Sequence, residues 1–276
     1  MPLLQSLSSG VSAMQQFQQE LDVIGNNIAN VATTGYKGAD VEFSDALSQT
    51  MQGAGATGAM QVGTGVTTGS IANRFTQGAI NATGNPTDLA ISGNGFFVVK
   101  DPVTNAQFAT REGNFTVDTS GYLVLNGMRV QGYSDAALST PGDIKIDNTG
   151  ATGGSTAPIQ SWNFDSKGDV IVTLTDNTTF TRGQVLLQNF QSPQMLVKEG
   201  GSLYSNMAGA GPMATQLSAP STNGLGKLEI GALEGSNVDL TTELSNLITT
   251  QRAFEANSKV ITTSDEVLQT LVNLKR

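Results

Sequence analysis

Apolar residues fall at Leu4, Leu7, Val11, Met14, Phe17, Leu21, Ile24, Ile28 and Val31 along the first three dozen positions. Steps of three and four place such side chains on one stripe of a helix. The pattern predicts a helix from Leu3 to Ala32, roughly 45 Å long at the usual rise per residue. Its other face carries Gln5, Gln15, Gln16, Gln18 and Gln19, and its only charges are Glu20 and Asp22. A narrow apolar seam on an almost uncharged helix has no partner within its own segment, so it must meet another helix. The candidate lies at the far end, where Leu240, Leu247, Phe254, Ile261 and Leu268 recur every seven residues, five heptads in all. Leu244, Val260, Val267, Leu271 and Val272 flank this row, and the run is long enough to read as a coiled-coil seam. Gln251, Ser258 and Asp265 interrupt the second row, which weakens a helix pair but can fix its register. Ser236 and Asp239 have capping-box spacing, placing the helix start near Asn237 to Asp239.

Between the helices the period shortens to that of strands. Leu89-Ala90-Ile91 leads through Gly93-Asn94-Gly95 into Phe96-Phe97-Val98-Val99, and Asp101-Pro102 breaks the run. Tyr122-Leu123-Val124-Leu125 and Met128-Arg129-Val130 flank Asn126-Gly127, the dipeptide best suited to a two-residue hairpin because both residues accept positive φ. Residues 115–125 and 162–172 share a strand, Asp-Ser/Thr-x-Gly turn, strand pattern, read as two hairpins with the same turn chemistry. The fold class is therefore α+β. Long N- and C-terminal helices (1–36 and 237–276) pair as an antiparallel coiled coil, and residues 71–204 form an inserted, antiparallel, all-β domain of barrel or sandwich type. Extended connectors at 37–70 and 205–236 join the parts, the first with a short helix around Phe43 to Met51. Residues 136–160 read as a surface insertion loop.

Composition narrows the function. The 14 basic and 23 acidic residues give a net charge of −9, which argues against nucleic acid as a partner. Only 13% of residues are charged and 32 are glycine, so the surface is dominated by Ser, Thr, Asn and Gln. A surface so poor in charge suits a protein packed against copies of itself. The chain lacks both Cys and His, which removes the thiol nucleophile, the usual general base and the commonest zinc ligand. No apolar run is long enough to span a membrane, and the N-terminus has no basic segment of the secretory kind. Gly63-Thr64-Gly65 and Gly93-Asn94-Gly95 are turns, not phosphate loops, and Asp165 to Asp169 lacks the glutamate of a calcium loop. No catalytic, cofactor-binding or metal-binding residues are expected. Asn26, Asn27 and Asn30 stand out, since amides at the end of an apolar helix can satisfy its last carbonyls or bond to adjacent helices.

Two stretches carry a family resemblance. Gly25-Asn26-Asn27-Ile28-Ala29-Asn30-Val31-Ala32-Thr33-Thr34-Gly35-Tyr36-Lys37 resembles the N-terminal signature of the axial proteins of the bacterial flagellum, the rod, hook and hook-associated proteins. Gly25 stands where alanine is usual. Gly235-Ser236-Asn237-Val238-Asp239-Leu240, Gln251 to Ser258 and the tail from Ile261 resemble the C-terminal signature. Asp88 to Val99 and Thr110 to Phe115 look like the β-domain shared by distal rod and hook proteins. Within the family, Val130-Gln131-Gly132-Tyr133 and the tail Leu271 to Arg276 are more similar to hook proteins, and the connector from Gln49 to Val66 is shorter than the resemblance implies for a distal rod. The expectation is a compact hook subunit, building a flexible tube that passes torque from motor to filament, with the distal rod as the alternative. A secreted adhesin with coiled-coil ends is a more distant one.

The resemblance implies a homopolymer in the flagellum and export through the flagellar type III apparatus. Its other partners would be rod, hook-filament junction and hook cap proteins. Expected assembly residues are Leu7, Val11, Met14, Phe17, Leu21, Ile24, Asn26, Asn27, Ile28 and Asn30 on the first helix, with Leu240, Leu244, Leu247, Phe254, Asn257, Ile261 and Leu268 on the last. A lone subunit can bury only part of these seams, so the termini are expected to be largely disordered before assembly.

Overall fold

The computed structural model describes residues 2–55, 58–151, 157–214 and 216–274. They fall into two compact units, Met1–Val31 with Gly38–Arg74 and Val238–Arg276, and Ala32–Lys37 with Phe75–Asn237.

The first unit holds both long helices, α1 (Pro2–Ala29) and α2 (Leu240–Leu274). Gly10 of α1 approaches Ile261 of α2, and Glu20 meets Thr250, so the helices run in opposite directions. A methyl group at Gly10 would lie 3.3 Å from Ile261 Cγ1, so the two helices pass closely here and a larger side chain would press on Ile261. Asp239 caps α2 by accepting from Thr242 N at 2.9 Å, satisfying one of the helix's open donors.

Where the sequence suggests a connector with a short helix at Phe43 to Met51, the chain instead pairs strands. Ala39–Asp45 runs antiparallel to Val66–Asn73, and Ser48–Gly55 to Gly58–Gly63. The small Ala, Thr, Ser and Gly of this stretch lack the apolar spacing of an amphipathic helix. Their backbone groups find partners across a hairpin instead.

The second unit is antiparallel β throughout its named pairings. Its main sheet runs in the order Ile159–Phe164, Asp169–Leu174, Thr179–Val185, Met128–Tyr133, Phe96–Lys100, Gln107–Thr110, Leu203–Ser205 and Val197–Gly200, with shorter strands attached. That order has two free ends, so the sheet does not close into the barrel that was one expectation. Phe97, Val99, Phe115, Leu123, Val170, Val172 and Leu187 form its apolar core. A smaller cluster gathers Phe96, Phe190, Leu196 and Tyr204.

The two hairpins with matching turns adopt the same hydrogen bonds. Asp118 N donates to Tyr122 O and Gly121 N to Asp118 O, and Asp165 N and Gly168 N do the same at the second site. Gly121 and Gly168 have φ of +83° and +82°, which explains glycine at both. Asn126 and Gly127 form the expected left-handed turn, with φ of +49° and +82°. Of the loop expected at 136–160, residues 152–156 lie outside the described residues, and the part before them is less of a surface loop than its composition suggests. Pro141–Asp143 pairs with Met128–Tyr133, and Ile144 and Ile146 are buried in the core.

Candidate functional site

In the first unit the candidate surface is helical. Half-buried Leu247, Phe254, Ile261 and Leu268 of α2 share a face with Glu243, Thr250, Asn257 and Ser264. The row beside the apolar heptad is thus the one that begins at Glu243, not the Gln251, Ser258 and Asp265 row expected from sequence. Its polar atoms have partners: Ser264 Oγ donates to Val260 O at 2.7 Å and Asn257 Nδ2 to Ala253 O at 2.9 Å. Folding side chains back onto their own helix leaves a slim surface, which is what close helix approach needs. Glu243, nearly buried, lies 3.7 Å from Arg74, which also pairs with Asp40 at 3.2 Å. Burial pushes the Glu20 carboxyl above the ordinary glutamate range, against the hydrogen bond with Thr250.

This choice of row leaves much apolar surface uncovered. Leu240, Leu244, Ile248, Val260, Val267, Leu271, Val272 and Leu274 are exposed on α2, the last at 78%. On α1, Ile24 is buried, Leu7, Met14, Phe17, Leu21 and Ile28 are half-buried, and Val11 is exposed. The polar flank of α1 is also occupied. Thr68 donates to Gln19 at 2.6 Å and also to Gln16, while Phe17 meets Phe43 edge to face at 6.1 Å.

The three asparagines divide their work. Asn27 is 1% exposed; its Nδ2 donates to Ala39 O at 2.9 Å and its Oδ1 accepts from Ala39 N at 3.1 Å. It thereby pins the strand that follows α1. Asn30 Nδ2 donates to Asn26 O at 2.9 Å, satisfying a carbonyl of the last turn. Asn26 itself is exposed.

The second unit holds a charged cluster that sequence reasoning missed. Lys37 Nζ lies 2.5 Å from Glu234 Oε1, with both side chains fully buried, and Arg111 NH1 is 3.2 Å from Glu234 Oε2. Gly78 N donates to Glu234 Oε1 at 2.9 Å, and Lys37 Nζ donates also to Thr76 O at 2.8 Å. Burial pushes the Lys37 ammonium below its ordinary value, with Glu234 opposing. The Arg111 guanidinium lies 5.0 Å from the centre of the Phe96 ring. Backbone bonds run beside the cluster, Gly35 N to Glu234 O at 2.8 Å and Asn237 N to Tyr36 O at 3.4 Å. Gly35 has φ of +65°, and a methyl group there would lie 2.7 Å from Glu112 N, so this position demands glycine. The sequence signal was slight: Lys37 is the first basic residue of the chain.

The cluster joins the two end signatures, because residues 7–37 match the family described as flagella basal body rod protein and residues 230–274 match the flagellar basal body rod FlgEFG protein C-terminal family. Residues 90–172 match the flagellar hook protein FlgE/F/G D1 domain. A flagellar basal-body rod protein FlgG of Bacillus subtilis is 40% identical, covering 99% of this chain and 100% of that protein. The rod protein FlgG of Borreliella burgdorferi is 33% identical over 283 residues, again 99% and 100% of the two chains. The hook protein FlgE of the same organism is 27% identical over 445 residues, 99% and 100% of the two chains. These families are structural parts of the flagellum and not enzymes, and no helix among the described residues is long and apolar enough to cross a membrane. The chain belongs to the flagellar basal-body rod and hook protein family.

Proposed function

We propose that this chain is a subunit of the distal rod, the straight shaft of the flagellar basal body. The observation that carries this reading is alignment length. Relatives named as rod proteins match from end to end over 282 and 283 residues, whereas the hook relative needs 445, so a large part of that protein faces a gap. The hook-like Val130-Gln131-Gly132-Tyr133 does not discriminate, because sheet packing dictates it. Val130 is fully buried, Gln131 donates to Asp143, and a methyl group at Gly132 would sit 2.1 Å from Gln184 O. The paired Ser48–Gly55 and Gly58–Gly63 strands support rigidity as well, since a hairpin is stiffer than a slack connector.

In the proposed mechanism α1 and α2 form an antiparallel coiled coil that lines the inside of a tube. The uncovered apolar row of α2 is buried by neighbouring copies, at roughly 1.5–3 kcal/mol for each large side chain removed from water. Partners are copies of the chain itself and the axial proteins above and below it, reached through type III export. Electron microscopy of tubes grown from the purified protein tests the reading. Straight tubes are expected, and removal of residues 48–63 should let them bend. Curved tubes from the unaltered chain would return the hook to first place.

A further inference from the structure

The helix pair encloses a carboxylate that its surroundings do not neutralise. Glu20 of α1, Asp40 of the strand that follows and Glu243 of α2 line one small cavity of about 80 Å³ in the first unit, with Asn27 and Asn246 completing its polar lining. Arg74 serves two of the three acids, lying 3.2 Å from Asp40 and 3.7 Å from Glu243. Glu243 also sits in the first turn of α2, where the helix dipole favours negative charge.

Glu20 has neither aid. Its hydrogen bond is with the Thr250 hydroxyl, a neutral group across the helix pair, and among the described residues it forms no ion pair. Asp22, close by on α1, is exposed, and Arg252 of α2 is exposed and turned to Glu255 at 3.5 Å. Docking α2 therefore takes an ionised carboxylate out of water with one hydroxyl in return. This burial is what pushes the Glu20 carboxyl above its ordinary value of 4.5. The hydroxyl suits either state, because it donates to the carboxylate and accepts from the protonated acid. Proton uptake keeps the contact and removes the charge.

We propose that the Glu20 pocket is a proton-operated lock on the helix pair, drawing α2 onto α1 when Glu20 takes up a proton and loosening it when the proton leaves. The unfolded chain holds this proton only below about 4.5, whereas the folded unit holds it to higher pH. The stabilisation is complete below the unfolded value and is lost as pH rises through the folded one. Within that window one proton shifts the docking equilibrium by up to about tenfold per pH unit. The lock operates inside a single copy and is independent of the rod reading.

Melting of the full-length, unassembled chain, followed by helical circular dichroism at about pH 5 and about pH 7, tests the lock. Glu20→Gln keeps the size of the side chain and its bond with Thr250 but carries no charge. Its midpoint should exceed that of the unaltered chain at about pH 7, and the gap should narrow at about pH 5. Asp22→Asn removes a charge of the same sign from an exposed position, and its gap should not change with pH. Carbon-13 NMR of the unaltered chain gives a second reading, in which the Glu20 carboxyl titrates at higher pH in the folded protein than in urea. Equal titration in the two states would overturn the lock. So would a Glu20→Gln gap that is the same at both pH values, or an Asp22→Asn gap that narrows as much.

Discussion

Glu234 accepts from Lys37, Arg111 and Gly78 at once, so one carboxylate answers two buried cations. Removing one partner of a buried ion pair is far more costly than the pair's net contribution, about 3–5 kcal/mol, because an uncompensated charge is left behind. Glu234→Gln should therefore lower the midpoint of urea unfolding well beyond Lys37→Met, which leaves a balanced Glu234–Arg111 pair. The chain's single tryptophan, Trp162, lies in the β unit and reports the transition. Asp135 gives a pH prediction. Ser139 Oγ and the amides of Ser139 and Thr140 donate to its carboxylate, pulling its pKa down from 3.8 to about 2. A depressed folded value means that the unfolded chain binds more protons between about 2 and 3.8. The stabilisation is thus complete above 3.8 and is lost as pH falls through about 2. Carbon-13 NMR should show this carboxyl titrating near 2, and Asp135→Asn should remove its share of the acid dependence.

At the scale of elements, the terminal helices were legible because their apolar residues keep a strict period, and the Asn126–Gly127 hairpin because few residues accept that turn. The row that pairs beside Leu247, Phe254 and Ile261 was not. Periodicity ranks rows by apolarity, whereas the structure selects Thr250, which meets Glu20 of α1, and Asn257 and Ser264, which bond back onto their own helix and permit a close approach. The strand at Pro141–Asp143 and the buried Ile144 and Ile146 were obscured for another reason. Their alternation is sound but short, and it sits among Thr, Gly and Asp that suggest a loop. Gly10 tests the helix approach. Alanine gains about 1 kcal/mol of helix propensity and asks Ile261 to move only slightly, so Gly10→Ala should be tolerated. Gly10→Leu should overpack the seam by about 1–3 kcal/mol, seen as an earlier loss of helical circular dichroism on heating.

For the whole molecule, the family was legible because the end signatures are long, whereas hook against rod was not. Of the residues used to separate them, Val130 to Gly132 are core positions of the main sheet, whereas Leu271, Val272 and Leu274 of the tail are exposed. The buried cluster escaped for a related reason: Lys37, Arg111 and Glu234 are distant in sequence, and no local pattern announces their meeting. Apolar α2 residues left uncovered in one copy predict that unassembled subunits lose their ends to limited proteolysis while the β unit persists. Assembled tubes should protect both ends, and equal resistance of the ends in the free subunit would contradict this. The Lys37–Glu234 bond, with the backbone pairing of Gly35 and Asn237 beside it, has a mechanical consequence. Residues 37 and 234 are the near ends of a loop of almost two hundred residues, yet side chains fasten them directly. A pull on the chain's two extremities would be carried across this clasp, and the sheets between would be spared the load until it parted.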